Sequence, residues 1–244
     1  SSLKAEPLFH IGNFVVTNSL VLAVLASLLL GFMAWRLRRG LTEIPGKFQN
    51  IFEILIEGTL SLMDSILQDR KKSERYLPLV ATIFLFVMIS NWMGLLPGVG
   101  SLGIYGEHEG HEVFIPLLRA PAADLNFTLM LAVLTVLTVN VAGALVLGVR
   151  RHLGKFFTLK NPIYTFVGLL ELISEFAKMI SFSFRLFGNV FAGEVLLIII
   201  GALVPYFVPL PFLALEIFVG FIQAFIFSML TLVFLAISTA ETEH

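Results

Sequence analysis

Six ionisable side chains sit inside long apolar stretches of the C-terminal third of this sequence, and any chemistry must be built from them. Residues 163–204 carry Glu171, Glu175, Lys178, Arg185, Asn189 and Glu194, and residues 210–238 carry Glu216 and Gln223. With Glu171 as zero and about 100° per residue, Glu175 falls near +40°, Lys178 near −20°, Arg185 near −40° and Asn189 near 0°. Five polar groups therefore share one narrow stripe. Glu194 falls on a different side, near about 140°. Glu216 and Gln223 are seven residues apart and share a face of their own helix.

An ionised side chain at mid-membrane costs roughly 2.5–3.5 kcal/mol on insertion scales, so such groups need partners or water and are functional by default. Glutamate escapes the cost by taking up a proton, whereas arginine stays charged. Carboxylates in wet cavities of low dielectric suit proton relay, while a fixed guanidinium forces an approaching carboxylate to release its proton. Acids on separate faces with an obligate cation between them read as two proton routes kept apart. The bland alternatives are an Arg185 that pairs with a Glu of its own chain, Glu171 and Glu175 as snorkelling interface acids, and Gln223 as a helix–helix hydrogen bond.

These residues require membrane helices to hold them. The chain has 244 residues, 57% apolar and 14% charged, with a mean hydropathy of +0.93. Soluble domains carry about a quarter charged residues, so composition selects an integral membrane protein in the lipid bilayer. A net charge of −1 leaves no basic footprint for nucleic acid, and the absence of cysteine excludes disulfides and thiolate chemistry. An all-α fold follows, with five spans over 14–35, 77–97, 124–149, 163–204 and 210–238. Residues 46–72 alternate apolar and polar groups at helical spacing, predicting an amphipathic helix on the membrane surface, on a partner's flank, or against its own protein. The fourth stretch would make a helix about 60 Å long against a hydrocarbon core of about 30 Å. It must lie strongly inclined or bent, forming a long hairpin with the last helix, and that posture suggests docking along another membrane object.

Residues 36–75 hold eight of the sixteen basic residues and 150–160 hold four more, whereas 97–123 hold only Arg119, beside Glu107, Glu109 and Glu112. The positive-inside rule then puts the N-terminus outside and the C-terminus in the cytoplasm. The acidic tail Glu241-Thr242-Glu243 weighs little in that rule.

The stretch Ser183-Phe184-Arg185-Leu186-Phe187-Gly188-Asn189-Val190-Phe191-Ala192-Gly193-Glu194 closely resembles the signature of the a subunit of F-type rotary ATP synthases. Three further stretches agree in order and spacing: Ser90-Asn91-Trp92-Met93-Gly94-Leu95-Leu96-Pro97, Pro121 to Leu129, and Ile222-Gln223-Ala224-Phe225-Ile226-Phe227. The resemblance implies a membrane stator beside a rotating ring of c subunits, with two half-channels reaching the ring's carboxylate. It implies that Arg185 separates those half-channels and that Asn189 and Gln223 flank it at the ring. Glu194 and Glu216 would line the half-channel open to the outside, with Asp124 and Asn126 near its mouth. Glu171, Ser174 and Glu175 would lie towards the cytoplasmic exit, and the 46–72 helix near the b subunits of the peripheral stalk. Some relatives carry His where Glu216 stands, so two acids here would share protons or water. The resemblance and the lack of a transit peptide point to a bacterial plasma membrane.

Other signals are weaker. The pair His108 and His111 lacks the His-Glu-x-x-His spacing of a zinc helix, so the 107–112 segment reads as a solvated loop and no metal is expected. No phosphate-cradling glycine loop occurs, so no nucleotide and no cofactor is expected on this chain, and catalysis of ATP synthesis would belong to partner subunits. A secondary ion transporter is the main rival, but no internal repeat supports it. A passive scaffold would leave Arg185 and the Glu residues as unexplained costs.

Overall fold

The computed structural model describes residues 5–40, 46–96, 98–108, 111–154, 162–204 and 207–240. Pro97, Glu109, the end of the second basic loop and the acidic tail lie outside the described residues. The elements run β1 (Pro7–Ile11), β2 (Phe14–Thr17), α1 (Asn18–Gly40), α2 (Lys47–Leu67), α3 (Arg70–Gly94), β3 (Gly103–His108), β4 (His111–Pro116), a 3-10 turn (Pro121–Ala123), α4 (Leu125–Leu147), α5 (Val149–Gly154), α6 (Pro162–Leu203) and α7 (Pro209–Thr239). The protein is an all-α membrane protein: α1, α3, α4, α6 and α7 are long and apolar enough to cross a bilayer. The two strand pairs are separate antiparallel hairpins.

Several boundaries differ from the hydrophobic pattern: α3 runs from Arg70 to Gly94 rather than over 77–97, its first turns being polar, and two others have a clear local cause. Residues 14–17 pair with 7–11 as a hairpin turning at Gly12, whose φ is +61°, so the first span starts at Asn18. Phe-Val-Val-Thr suits a strand as well as a span, and a short apolar run cannot distinguish them. The amphipathic helix ends at Leu67 rather than 72. Gln68 adopts a left-handed conformation that stops α2, and the Asp69 carboxylate accepts the Lys71 and Lys72 amides, starting α3. Asp64 and Glu74 both bind Arg70, at 2.8 and 3.1 Å, across that junction.

In lipid, apolar burial gives helices little reason to associate, so close van der Waals packing and interhelical hydrogen bonds hold them. α7 packs on α3, α4 and α6, and α4 packs on α6. The central cluster contains Val87, Ala132, Val136, Phe182, Leu186 and Phe227, with Phe182 and Phe227 ring centroids 4.6 Å apart. The Thr128 and Ser183 hydroxyls bond at 3.1 Å between α4 and α6. Asn91 and Trp92, at the end of α3, donate to the α7 carbonyls of Gly220 and Ile217 at 3.2 and 3.0 Å. Each donor thereby meets an acceptor that lipid could not supply.

Candidate functional site

α6 is one continuous 42-residue helix whose two faces meet different surroundings. Phe182, Ser183, Leu186 and Phe187 are buried against the bundle, while Phe184, Arg185, Gly188 and Asn189 face outwards. Leu186 is 1% exposed, yet its neighbour Arg185 points away from the core. The Arg185 side chain has one long hydrogen bond, 3.5 Å from Nη2 to Ser181 Oγ one turn back. Among the described residues no carboxylate pairs with it. The internal ion pair that would have made Arg185 a mere pin between helices is absent from the described residues.

A cavity of about 860 Å³ opens at the end of the bundle where α1, α4 and α7 begin and α3 and α6 end. Glu194 and Glu216 both line it, with Asn91 and Arg119. Arg119 is 6% exposed, and its Nε lies 3.4 Å from Glu194 Oε2. A buried guanidinium needs such a carboxylate. The Glu216 carboxylate reaches from α7 onto the backbone of Gly193, where a β-carbon would otherwise stand. Gly193 is therefore the residue that admits Glu216 beside Glu194.

A second polar cluster lies towards the opposite end. Glu175 Oε1 meets Lys178 Nζ at 2.5 Å, and Glu175 Oε2 accepts Asn140 Nδ2 of α4 at 2.9 Å. Asn140 Oδ1 contacts Nε2 of the buried His152 of α5 at 3.2 Å. Lys178 Nζ also stands 4.7 Å over the Phe234 ring of α7. Arg185 is ten residues beyond Glu175 and nine before Glu194, so each cluster is about 14–15 Å from it along the α6 axis at 1.5 Å per residue. Two polar sites thus flank one exposed cation from opposite ends.

The other residues singled out by the sequence are dispersed. Asn189 shares the outward face of Arg185, whereas Gln223 is buried in the packed face of α7. Glu171 and Ser174 are exposed, turned away from the contacts that engage Glu175. Asp124 is buried outside the cavity wall, caps α4 through the Asn126 amide at 3.1 Å and accepts Ser19 Oγ at 2.9 Å. Asn126 itself is exposed.

Residues 17–236 match the family described as ATP synthase A chain. The chain belongs to that family. It is 34% identical to ATP synthase subunit a of Campylobacter jejuni over 238 residues, covering 96% of this chain and 90% of the relative. It is 33% identical to the Campylobacter concisus subunit over 242 residues, covering 99% and 97%. It is 31% identical to that of Moorella thermoacetica over 234 residues, covering 96% of each.

In this member of the ATP synthase A chain family, sequence reasoning missed Asn91, Arg119, Asn140 and His152. Asn91 stood inside the Ser-Asn-Trp-Met-Gly stretch and carried a signal without a role. Arg119 was visible as the single basic residue of 97–123, and its burial came from packing. Asn140 and His152 carried no signal, because each acquires meaning from a helix distant in sequence.

Proposed function

We propose that this chain is the proton-conducting stator of the membrane sector of an ATP synthase. It lies in the bacterial plasma membrane with its N-terminus outside and its C-terminus in the cytoplasm. The cavity bearing Glu194 and Glu216 serves as the outer half-channel, with Asp124 and Asn126 bordering its mouth. Glu171, Ser174 and Glu175 serve the cytoplasmic half-channel. Asn189 flanks Arg185 where a ring of c subunits seats against α6 and α7, with Gln223 on the packed face of α7 rather than on that seat, and the α2 surface lies near the b subunits of the peripheral stalk.

The carrying observation is Arg185, an obligate cation on the outward face of α6 with only Ser181 within hydrogen-bond reach among the described residues. A membrane cation left without a carboxylate is costly, and a ring carboxylate arriving from outside the chain would relieve that cost. A ring carboxyl protonated from the outer cavity is neutral and can rotate through lipid. On reaching Arg185 it is stabilised as the anion and releases its proton towards the cytoplasmic route. Because the two polar sites lie at opposite ends of α6, a proton crosses only by riding the ring, which couples flux to rotation. ATP chemistry then belongs to other subunits.

The test is proton-driven ATP synthesis by the reconstituted complex carrying Arg185→Ala. Coupled synthesis is expected to fall below about 1% of the unmodified rate, a loss of some 3 kcal/mol or more in transition-state terms. Persistence of coupled synthesis in an assembled Arg185→Ala complex would refute the reading.

A further inference from the structure

Glu194 and Glu216 are not the whole acidic lining of the outer cavity. Glu6, from the segment before β1, reaches the same wall. Its backbone is pinned to the first turn of α1 at both ends. The Glu6 N–H donates to Asn18 Oδ1 at 3.3 Å, and the Asn18 N–H donates to Glu6 O at 3.2 Å. Asn18 is fully buried and is itself fixed by donating Nδ2 to the Pro116 carbonyl at 3.1 Å. The residue before, Ala5, is 4% exposed. Glu6 is therefore a placed side chain rather than a trailing surface acid.

One of its carboxylate oxygens, Oε2, is closed off from solvent and has no hydrogen-bond partner among the described residues. An acceptor buried in that condition costs about 1–3 kcal/mol, more if charged, unless a water or a proton satisfies it. Asn91, 3% exposed and on the same cavity wall, likewise keeps Oδ1 without a partner among the described residues. Two residues of one cavity wall, from different elements, thus each keep an acceptor without a donor among the described residues. The other charged groups on that wall are Arg119 from the segment before the 3-10 turn, Glu194 of α6 and Glu216 of α7. Arg119 is engaged by Glu194 and Glu216 lies on Gly193, so of these three acids only Glu6 has neither placement.

We propose that Glu6 is a third proton-carrying carboxylate of this cavity, collecting protons from outside water and passing them through cavity water towards Glu194 and Glu216. Hydronium protonates the Glu6 carboxylate, and the resulting acid returns that proton to a cavity water, leaving the carboxylate as it began. This rests on the cavity being the outer half-channel.

The experiment measures proton-driven ATP synthesis by the intact reconstituted complex against outside pH, for Glu6→Gln, Glu6→Asp and Glu216→Gln. Glu6→Gln should lower the rate at alkaline outside pH by about tenfold, a modest share of what a positioned acid–base group contributes, and approach the unmodified rate at acidic outside pH. Glu6→Asp should restore most of the rate. An unchanged pH profile in Glu6→Gln, with Glu216→Gln impaired, overturns the role of Glu6 while leaving the half-channel standing. Unchanged profiles in both overturn the half-channel itself. Because the chain has no cysteine, Glu6→Cys supplies a check independent of folding. Carboxymethylation of the assembled Glu6→Cys complex should restore alkaline activity, and attachment of a sulfonate, which carries charge but binds no proton at these pH values, should not. Equal restoration by both would mean that Glu6 supplies charge alone, and the proposal would be wrong.

Discussion

The Glu216 carboxylate of α7 occupies the space that a β-carbon on Gly193 of α6 would fill. Gly193→Ala must therefore expel Glu216 or part the two helices, at an overpacking cost of about 1–3 kcal/mol. Proton-driven ATP synthesis should fall sharply in Gly193→Ala. Gly201→Ala, on the same helix with nothing within 4 Å of the new carbon, should be neutral. Equal activity of the two variants would show that Glu216 need not rest on Gly193.

Gly188 lies three residues beyond Arg185 on the outward face, and a β-carbon added there would have nothing within 4 Å. Gly188→Leu should leave thermal stability of the detergent-solubilised chain unchanged while weakening association with the ring. Native mass spectrometry of the chain with its ring reads the second effect. Unchanged association would mean that the ring seats elsewhere.

Lys178 and Glu175 are 25% and 16% exposed, and Asn140 shares the carboxylate. Removing one partner strands the other, whereas removing both relieves the desolvation. Lys178→Met should destabilise the chain by about 1–3 kcal/mol, and Lys178→Met with Glu175→Leu should be less harmful than the single changes summed. Strictly additive unfolding midpoints would argue that the pair is not coupled.

Asp124 caps α4 and receives Ser19. Asn caps as well as Asp, so Asp124→Asn should keep the fold and leave coupled synthesis within about twofold, while Asp124→Ala should cost about 0.5–2 kcal/mol. A folded Asp124→Asn complex without synthesis would instead assign the carboxylate a proton-carrying role.

Gln68 holds a φ of +52° between α2 and α3. Relief of a left-handed side-chain penalty should make Gln68→Gly more stable by about 1 kcal/mol. Hydrogen exchange across residues 64–72 should slow. Faster exchange there would show that glycine's added freedom in the unfolded chain outweighs the relief.

The spans and the polar stripe were legible because both are local properties. Apolar length and helical period are written along a single stretch, and Arg185 betrays itself by its cost in lipid. The start of α1 and the end of α2 were less legible, since Phe14–Thr17 fits two structures and a left-handed Gln68 is not a typical stop signal. Glu171 and Glu175 shared a stripe in the sequence, yet their surroundings differ because α4 brings Asn140 to one and not the other.

By itself, then, the sequence determined a five-span membrane protein with a permanent cation amid acids, because insertion cost and helical periodicity depend on neighbours in the chain. Only the tertiary structure decided which acids Arg119 and Lys178 meet, and that Arg185 meets none among the described residues. Arg119 and Glu194 are 75 residues apart, and Asn140 and Glu175 are 35 apart. Such pairings depend on how closely helices approach, and small residues such as Gly193 set that distance without announcing their partners.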